Sequence, residues 1–255
     1  MNGSNPCFFS PRWPVFYEDN HLLVLYKPAG LLMQGDHTGD VSLLDLAKDW
    51  IRKRYQKPGN VFLALVHRLD RPVAGVVLFC RTTKSAGRLS EQFRTHDLEK
   101  RYLAIVEGKI DHESGELVHH LERHNASSRV VPGPTEKSRE ARLVYKVLQT
   151  DMSRSLVEID LITGRHHQIR VQFSHMGFPV LGDMRYGASG PLPDKQIALF
   201  ANRLTIRHPT LKKQLIFDCP LPEKWPWFEF GKTIDAQPWN WVDLQEAVMR
   251  EALRT

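Results

Sequence analysis

Apolar residues along this chain fall into two kinds of run, short unbroken ones and longer ones spaced at helical intervals. His21–Tyr26 (HLLVLY) is a short run closed by Lys27-Pro28-Ala29-Gly30, where proline and glycine together punctuate a turn, so a strand is predicted there. From Val41 to Gln56, Leu44, Ala47 and Ile51 recur at helical spacing beside Leu43 and Trp50, with Lys48, Arg52 and Lys53 elsewhere on the surface. Val61–Val66 and Gly75–Cys80 (GVVLFC) are apolar runs on either side of the polar turn HRLDRP, which predicts two buried strands flanking a charged turn. Ala86, Leu89 and Phe93 mark a helix over 84–95, and a strand over 100–107 ends at Gly108. Further strands are predicted at 141–148, 156–162, 196–206 and 214–218. Ile169, Phe173 and Met176 place a helix over 165–176, and Leu244, Val248 and Ala252 place a terminal one.

Strands interrupted by only a few helices predict an α+β domain: a mixed, mostly antiparallel sheet with flanking helices and a loop-lined cleft. The expected organisation is an N-terminal extension over 1–14, one catalytic domain over 15–230 and a tail over 231–255 with a helix. A monomer is expected.

Composition narrows the class. With 42% hydrophobic and 25% charged residues, the chain has the balance of a globular protein rather than a disordered one. No apolar run approaches the ~20 residues of a spanning helix, and MNGSNPCFFSPRWP lacks a secretory pattern, so the expected address is cytoplasmic, without a membrane partner. Cys7, Cys80 and Cys219 are too far apart to suggest a zinc pair or a disulfide framework. Thirty-five Lys and Arg against 29 Asp and Glu give +6, a balance suited to a polyanionic partner such as nucleic acid.

The sharpest local feature is HRLDRPVAG, where Asp70 sits between Arg68 and Arg71 in a turn bounded by apolar runs. Nearby arginines favour a charged carboxylate while partial burial opposes it, a combination suited to a nucleophile or base. For a lone aspartate the plainer account is a turn cap paired with Arg68 or Arg71 on the surface. Its companions alter that balance. HRLDRPVAGVVLFCRT, EKRYLAIVEG, TGRHHQIRVQFSHMGFPVLGDMRYG and ALFANRLTIRHP, in that order, closely resemble the motifs of the RluA-type pseudouridine synthases, and YKPAGLLMQGD resembles that family's early Lys-Pro-Gly segment.

The resemblance covers about Val15 to Leu221 and implies the pseudouridine synthase fold and an isomerisation of uridine in structured RNA, tRNA or rRNA. The N1 glycosidic bond breaks and the base rejoins through C5, with no cofactor and no metal. Many members of that family carry an N-terminal RNA-binding module of the S4 type, but only about fourteen residues precede the matched region, so a single-domain form is expected. Asp70 matches the family's catalytic aspartate, Tyr102 the tyrosine that stacks on the base, and Arg170 the basic partner of the aspartate. A stacked uridine must be extruded to reach a carboxylate. Arg68 either fills the space left by the flipped base or contacts phosphate or a carboxylate. Arg71, Arg165, His167 and Gln168 are read as RNA-facing or site-shaping, and Lys84, Arg88, Arg94, Lys100, Arg101, Lys212 and Lys213 as a possible phosphate track. The sequence agrees in lacking a phosphate loop, a dinucleotide fingerprint and an HExxH zinc pattern.

Two positions depart from the family. Val73-Ala74 stand where Thr-Ser is usual, removing two hydroxyls near Asp70, and Phe200 stands where a histidine is common, which is expected to alter the pocket wall. His120 and His124 have the i, i+4 spacing of a helical metal pair, but His119, His120 and His124 are better read as polar surface residues, since Leu117 and Val118 look strand-like. Two rival readings are a catalytically inactive RNA-binding protein of the same fold, and a hydrolase using Asp70 with Asp183 as a carboxylate pair.

Overall fold

A computed structural model describes residues 15–193 and 196–221. In chain order these form β1 (Val15–Glu18), β2 (Leu22–Lys27), α1 (Leu43–Arg54), β3 (Ala64–Leu65), β4 (Ala74–Cys80), α2 (Thr83–Thr95) and β5 (Glu99–Glu107). There follow β6 (Ser114–His124), β7 (Ser127–Val131), β8 (Arg139–Thr150), β9 (Arg154–Leu161), α3 (Gln168–His175), β10 (Leu199–Arg207) and β11 (Gln214–Asp218). The tail helix and the N-terminal extension lie outside the described residues.

All these strands join one sheet of order β1-β2-β4-β10-β5-β9-β8-β6-β7, with β3 added beside β4 and β11 beside β10. Only β4 and β10 pair in parallel; every other pairing is antiparallel. This is the mixed, mostly antiparallel α+β sheet expected from sequence. Among the described residues no helix is long and apolar enough to cross a membrane.

Local chemistry explains the elements. β2 and β4 are buried at every position, as their unbroken apolar runs require of strands covered on both faces. In β8 only alternate residues, Ala141, Leu143 and Tyr145, turn inward. Ser42 starts α1 with a capping box to Asp45, and Leu43, Leu46, Ala47, Trp50 and Ile51 form its buried stripe. Arg52, Lys53 and Arg54 occupy its last turn, where cations complement the helix dipole. Thr82 caps α2 against Ser85 in the same way.

The strand expected over 61–66 shrinks to the two residues of β3, and the run is not buried throughout, since Phe62 is exposed between buried Val61 and Leu63. The helix expected over 165–176 begins only at Gln168, since His167 takes a left-handed backbone with φ 54°. β1 and β7 were not anticipated, and β6 only as far as Leu117 and Val118 read as strand-like. The segment holding His119, His120 and His124 is the strand β6, so its i, i+4 histidines lie about 13 Å apart rather than one helical turn.

Candidate active site

Asp70 lies in the connection entering β4, and four contacts fix that connection. Val73 N–H bonds Asp70 O at 3.0 Å, closing a tight turn. Lys27, at the end of β2 and fully buried, donates to three carbonyls: Pro28 at 3.0 Å, Arg71 at 3.1 Å and Val73 at 2.7 Å. Burial pushes its ammonium down to about 7, opposed by the nearby Asp70 charge, while three acceptors occupy all three of its N–H groups. His67 Nε2 accepts from Leu78 N–H at 2.9 Å and its ring stacks on Phe93, so burial keeps it neutral with a pKa near about 4. Arg71 turns back to Gly30 O at 2.9 Å and pairs with Asp40.

A fifth constraint is steric. Gly75 has φ +134°, and a Cβ there would stand 2.2 Å from Ala201 O on β10. Glycine lets the two parallel strands meet at this point. Because Ala201 also pairs with Tyr102 on β5, one close approach sets the position of the Asp70 loop relative to Tyr102.

On the other side, α3 delivers Arg170. Its Nε and Nη2 grip Asp183 at 2.6 and 2.9 Å in a bidentate fork, and its remaining Nη1 donates to Asp70 Oδ2 at 2.9 Å. The side chains of Arg170 and Asp183 are 6% and 1% exposed, whereas that of Asp70 is 29% exposed. Burial opposes the guanidinium charge, but the Asp183 fork and then Asp70 outweigh it and raise the Arg170 pKa. His167 Nε2 stands 3.5 Å from the same Asp70 oxygen.

Asp70, Tyr102 and Arg170 line one cavity of about 700 Å³, within the roughly 300–1,000 Å³ range of small-ligand pockets. Among the described residues Asp70 is the only carboxylate on its wall, facing Arg68, Arg94, Lys100, Arg123, Arg165 and Arg170. Burial, reinforced by Arg165, pushes Lys100 down to about 8. Tyr102 is buried, and burial together with the Asp70 charge raises its phenol well above its usual value, so the hydroxyl keeps its proton. A cavity with this charge pattern accepts a polyanion and places one carboxylate against it.

The RNA pseudouridylate synthase family model matches residues 21–175. The uncharacterized RNA pseudouridine synthase YhcT of Bacillus subtilis is 33% identical over 214 residues, covering 82% of this chain and 68% of that protein. This chain belongs to the RNA pseudouridine synthase family. The ribosomal large subunit pseudouridine synthase C of Vibrio cholerae is 32% identical over 216 residues, covering 81% of this chain and 65% of that protein. The chain thus spans about two thirds of the length of these relatives. The solved structure of human RNA pseudouridylate synthase domain containing 4 superposes with a TM-score of 0.69 at 25% identity, over 82% of this chain and 88% of that one. This synthase is accordingly an isomerase acting on RNA.

Several sequence expectations change on the synthase structure. Gln168 is buried and turned inward: its Oε1 accepts from Thr163 Oγ1 and Arg165 N–H, and its Nε2 donates to Arg142 O. It shapes the start of α3 and lines the cavity next to Ile169 and Arg170. Arg71 lies off the cavity wall and is committed to Gly30 and Asp40, so it braces the loop. His167 faces Asp70, while Arg68 and Arg165 stay on the cavity wall. Phe200 is 1% exposed and packs toward Tyr26, away from the cavity wall it was expected to alter. Val73 and Ala74 in place of hydroxyl residues leave the turn intact, because backbone atoms and Lys27 hold it.

The carboxylate-pair reading fails on geometry. Both oxygens of Asp183 are gripped by Arg170 and the side chain does not reach the cavity, so it cannot share acid and base duties with Asp70 across a substrate. Lys27, Asp183 and Tyr186 were missed as site-supporting residues. Lys27 was visible only as part of the early Lys-Pro-Gly segment and Asp183 only as a rival catalytic carboxylate, and one sequence carries no distance between Asp183 and Arg170.

Proposed function

We propose that this chain converts uridine to pseudouridine in structured large-subunit ribosomal RNA, with Asp70 as the catalytic carboxylate. The observation that carries this is the lone carboxylate, held at one oxygen by Arg170, on the wall of a cavity otherwise rich in arginine and lysine. The ribosomal substrate is supported by the name of the Vibrio cholerae relative.

The target uridine leaves its stack and enters the cavity, while the flanking phosphates lie against the surrounding cations. Tyr102 provides a ring face for the base and a protonated hydroxyl beside it. A step that depends on the Asp70 carboxylate breaks the N1 to C1′ bond. The base turns and C5 bonds to C1′; C5 then loses its hydrogen and N1 gains one, so no net atom or electron is consumed. Arg170 keeps Asp70 oriented throughout.

The test is tritium release to water from large-subunit rRNA transcripts carrying uridine labelled at C5. Release that saturates at one or a few equivalents per transcript, with pseudouridine mapped at those positions, is expected. Binding without release from any cellular RNA would identify a non-catalytic RNA-binding protein of the same fold and overturn the proposal; release from tRNA alone would overturn the ribosomal assignment.

A further inference from the structure

Tyr186 lies just past Asp183, on a short 3-10 turn, and touches both residues that approach Asp70. Its ring packs 5.1 Å from the Arg170 guanidinium carbon. Its hydroxyl oxygen accepts from Ser128 N–H on β7 at 2.8 Å and lies 2.9 Å from His167 Nδ1. A phenol has one proton to give. The backbone N–H takes one lone pair of the oxygen, and among the described residues His167 Nδ1 is the acceptor within hydrogen-bond reach of the phenol proton.

The imidazole is neutral, since burial lowers its pKa to about 3 despite the opposing Asp70 charge. A neutral ring that accepts at Nδ1 carries its proton on Nε2. That N–H stands 3.5 Å from Asp70 Oδ2, the oxygen that also accepts from Arg170 at 2.9 Å. Asp70 Oδ1 has no hydrogen bond to a side chain or backbone group among the described residues.

The imidazole is also clamped in place. His166 stacks on it at 3.8 Å, and Ser128 Oγ donates to the His166 carbonyl at 2.7 Å. His167 itself has φ 54°, a left-handed backbone that a non-glycine residue adopts at a cost. Strain of this kind beside a functional carboxylate points to a placed side chain.

We propose that Tyr186 is a positioning residue: by donating to His167 Nδ1 it fixes the ring proton on Nε2, so that an N–H 3.5 Å away faces the Asp70 Oδ2 already bonded by Arg170 and leaves Oδ1 for the flipped nucleoside. The inference rests on Asp70 being the catalytic carboxylate and adds which of its oxygens reacts. Without the Tyr186 hydroxyl the proton redistributes between the ring nitrogens, and a lone pair on Nε2 would face the carboxylate.

A double-mutant cycle tests this. Tyr186→Phe keeps the ring beside Arg170 and should slow the single-turnover rate about tenfold, the effect of one lost hydrogen bond, with RNA Kd within about twofold. His167→Gln offers an amide N–H near the Nε2 position whose proton needs no tautomer control. In that background Tyr186→Phe should cost less than about twofold. Nitrogen NMR of the His167 ring in the folded protein should show protonated Nε2 in the wild type and a mixture in Tyr186→Phe. An unchanged rate in Tyr186→Phe, an equal loss in both backgrounds, or a proton on Nδ1 in the wild type would overturn the inference. Asp70→Asn distinguishes the two levels: full turnover there would remove the underlying reading, whereas its loss beside an unaffected Tyr186→Phe would remove only the role of Tyr186.

Discussion

Arg170 carries one positive charge between two carboxylates of different accessibility, the sealed Asp183 and the half-open Asp70. Division of labour follows from burial. The sealed pair fixes the guanidinium, and the fixed guanidinium aims the accessible carboxylate. Breaking one side of a buried ion pair leaves an uncompensated charge and costs about 3–5 kcal/mol. Asp183→Asn, which keeps the shape and removes the charge, should therefore lower stability in urea by a few kcal/mol and lower turnover as well, although Asp183 touches no cavity. Unchanged stability would show that Asp70 alone suffices for Arg170. Asp70, Tyr102 and Arg170 were legible in sequence through their motifs. The Asp183 fork was not, because GDMRYG shows an aspartate without showing what it faces. His167 and Gln168 are neighbours that point in different directions, an outcome set by the left-handed backbone at His167 that residue type does not announce.

Among the elements, the strands most legible in sequence were those buried on both faces, β2 and β4, and they are also the ones that bear the site. β7 escaped notice, and β6 was read only at Leu117 and Val118, because SGELVHHLERH and SSRVV bury few positions and offer little apolar alternation. The junction of β4 with β10 is a backbone contact, so only Gly75 reports it. Gly75→Ala would force a Cβ to 2.2 Å from Ala201 O at a φ that L-residues avoid, and should cost about 3 kcal/mol or more, by strain of backbone against backbone. Denaturant melts would read this; a loss below about 0.5 kcal/mol, the scale of a neutral surface change, would contradict the account of the junction.

The loop held by His67 predicts a pH dependence. Its pKa falls from 6.5 to about 4 on folding, so the unfolded chain binds the proton more readily between those values. The stability contributed by neutral His67 is present above pH 6.5 and is lost as pH falls through that window. His67→Gln, which keeps an acceptor for Leu78 N–H, should flatten the stability profile between about pH 4 and 6.5; an unaltered slope would exclude His67 as its source.

At the scale of the whole molecule, one sheet gathers residues from opposite ends of the sequence: Lys27 from β2, the Asp70 turn before β4, Tyr102 from β5 and Arg170 from α3. The parallel pairing of β4 with β10 makes this geometry, by bringing β10 between β4 and β5. Six cations around one carboxylate should make RNA affinity sensitive to ionic strength, and each lost phosphate contact should reduce the salt slope by about one. Lys100→Met is expected to show that reduction in a binding titration across salt concentrations. The most direct measurement is single-turnover pseudouridine formation by Asp70→Asn, with RNA Kd measured on the same protein. The account predicts loss of product by at least about 10³-fold with binding nearly retained, since the variant keeps the side-chain shape and lacks the anionic oxygen. Product formed at a rate close to that of the wild type would contradict it.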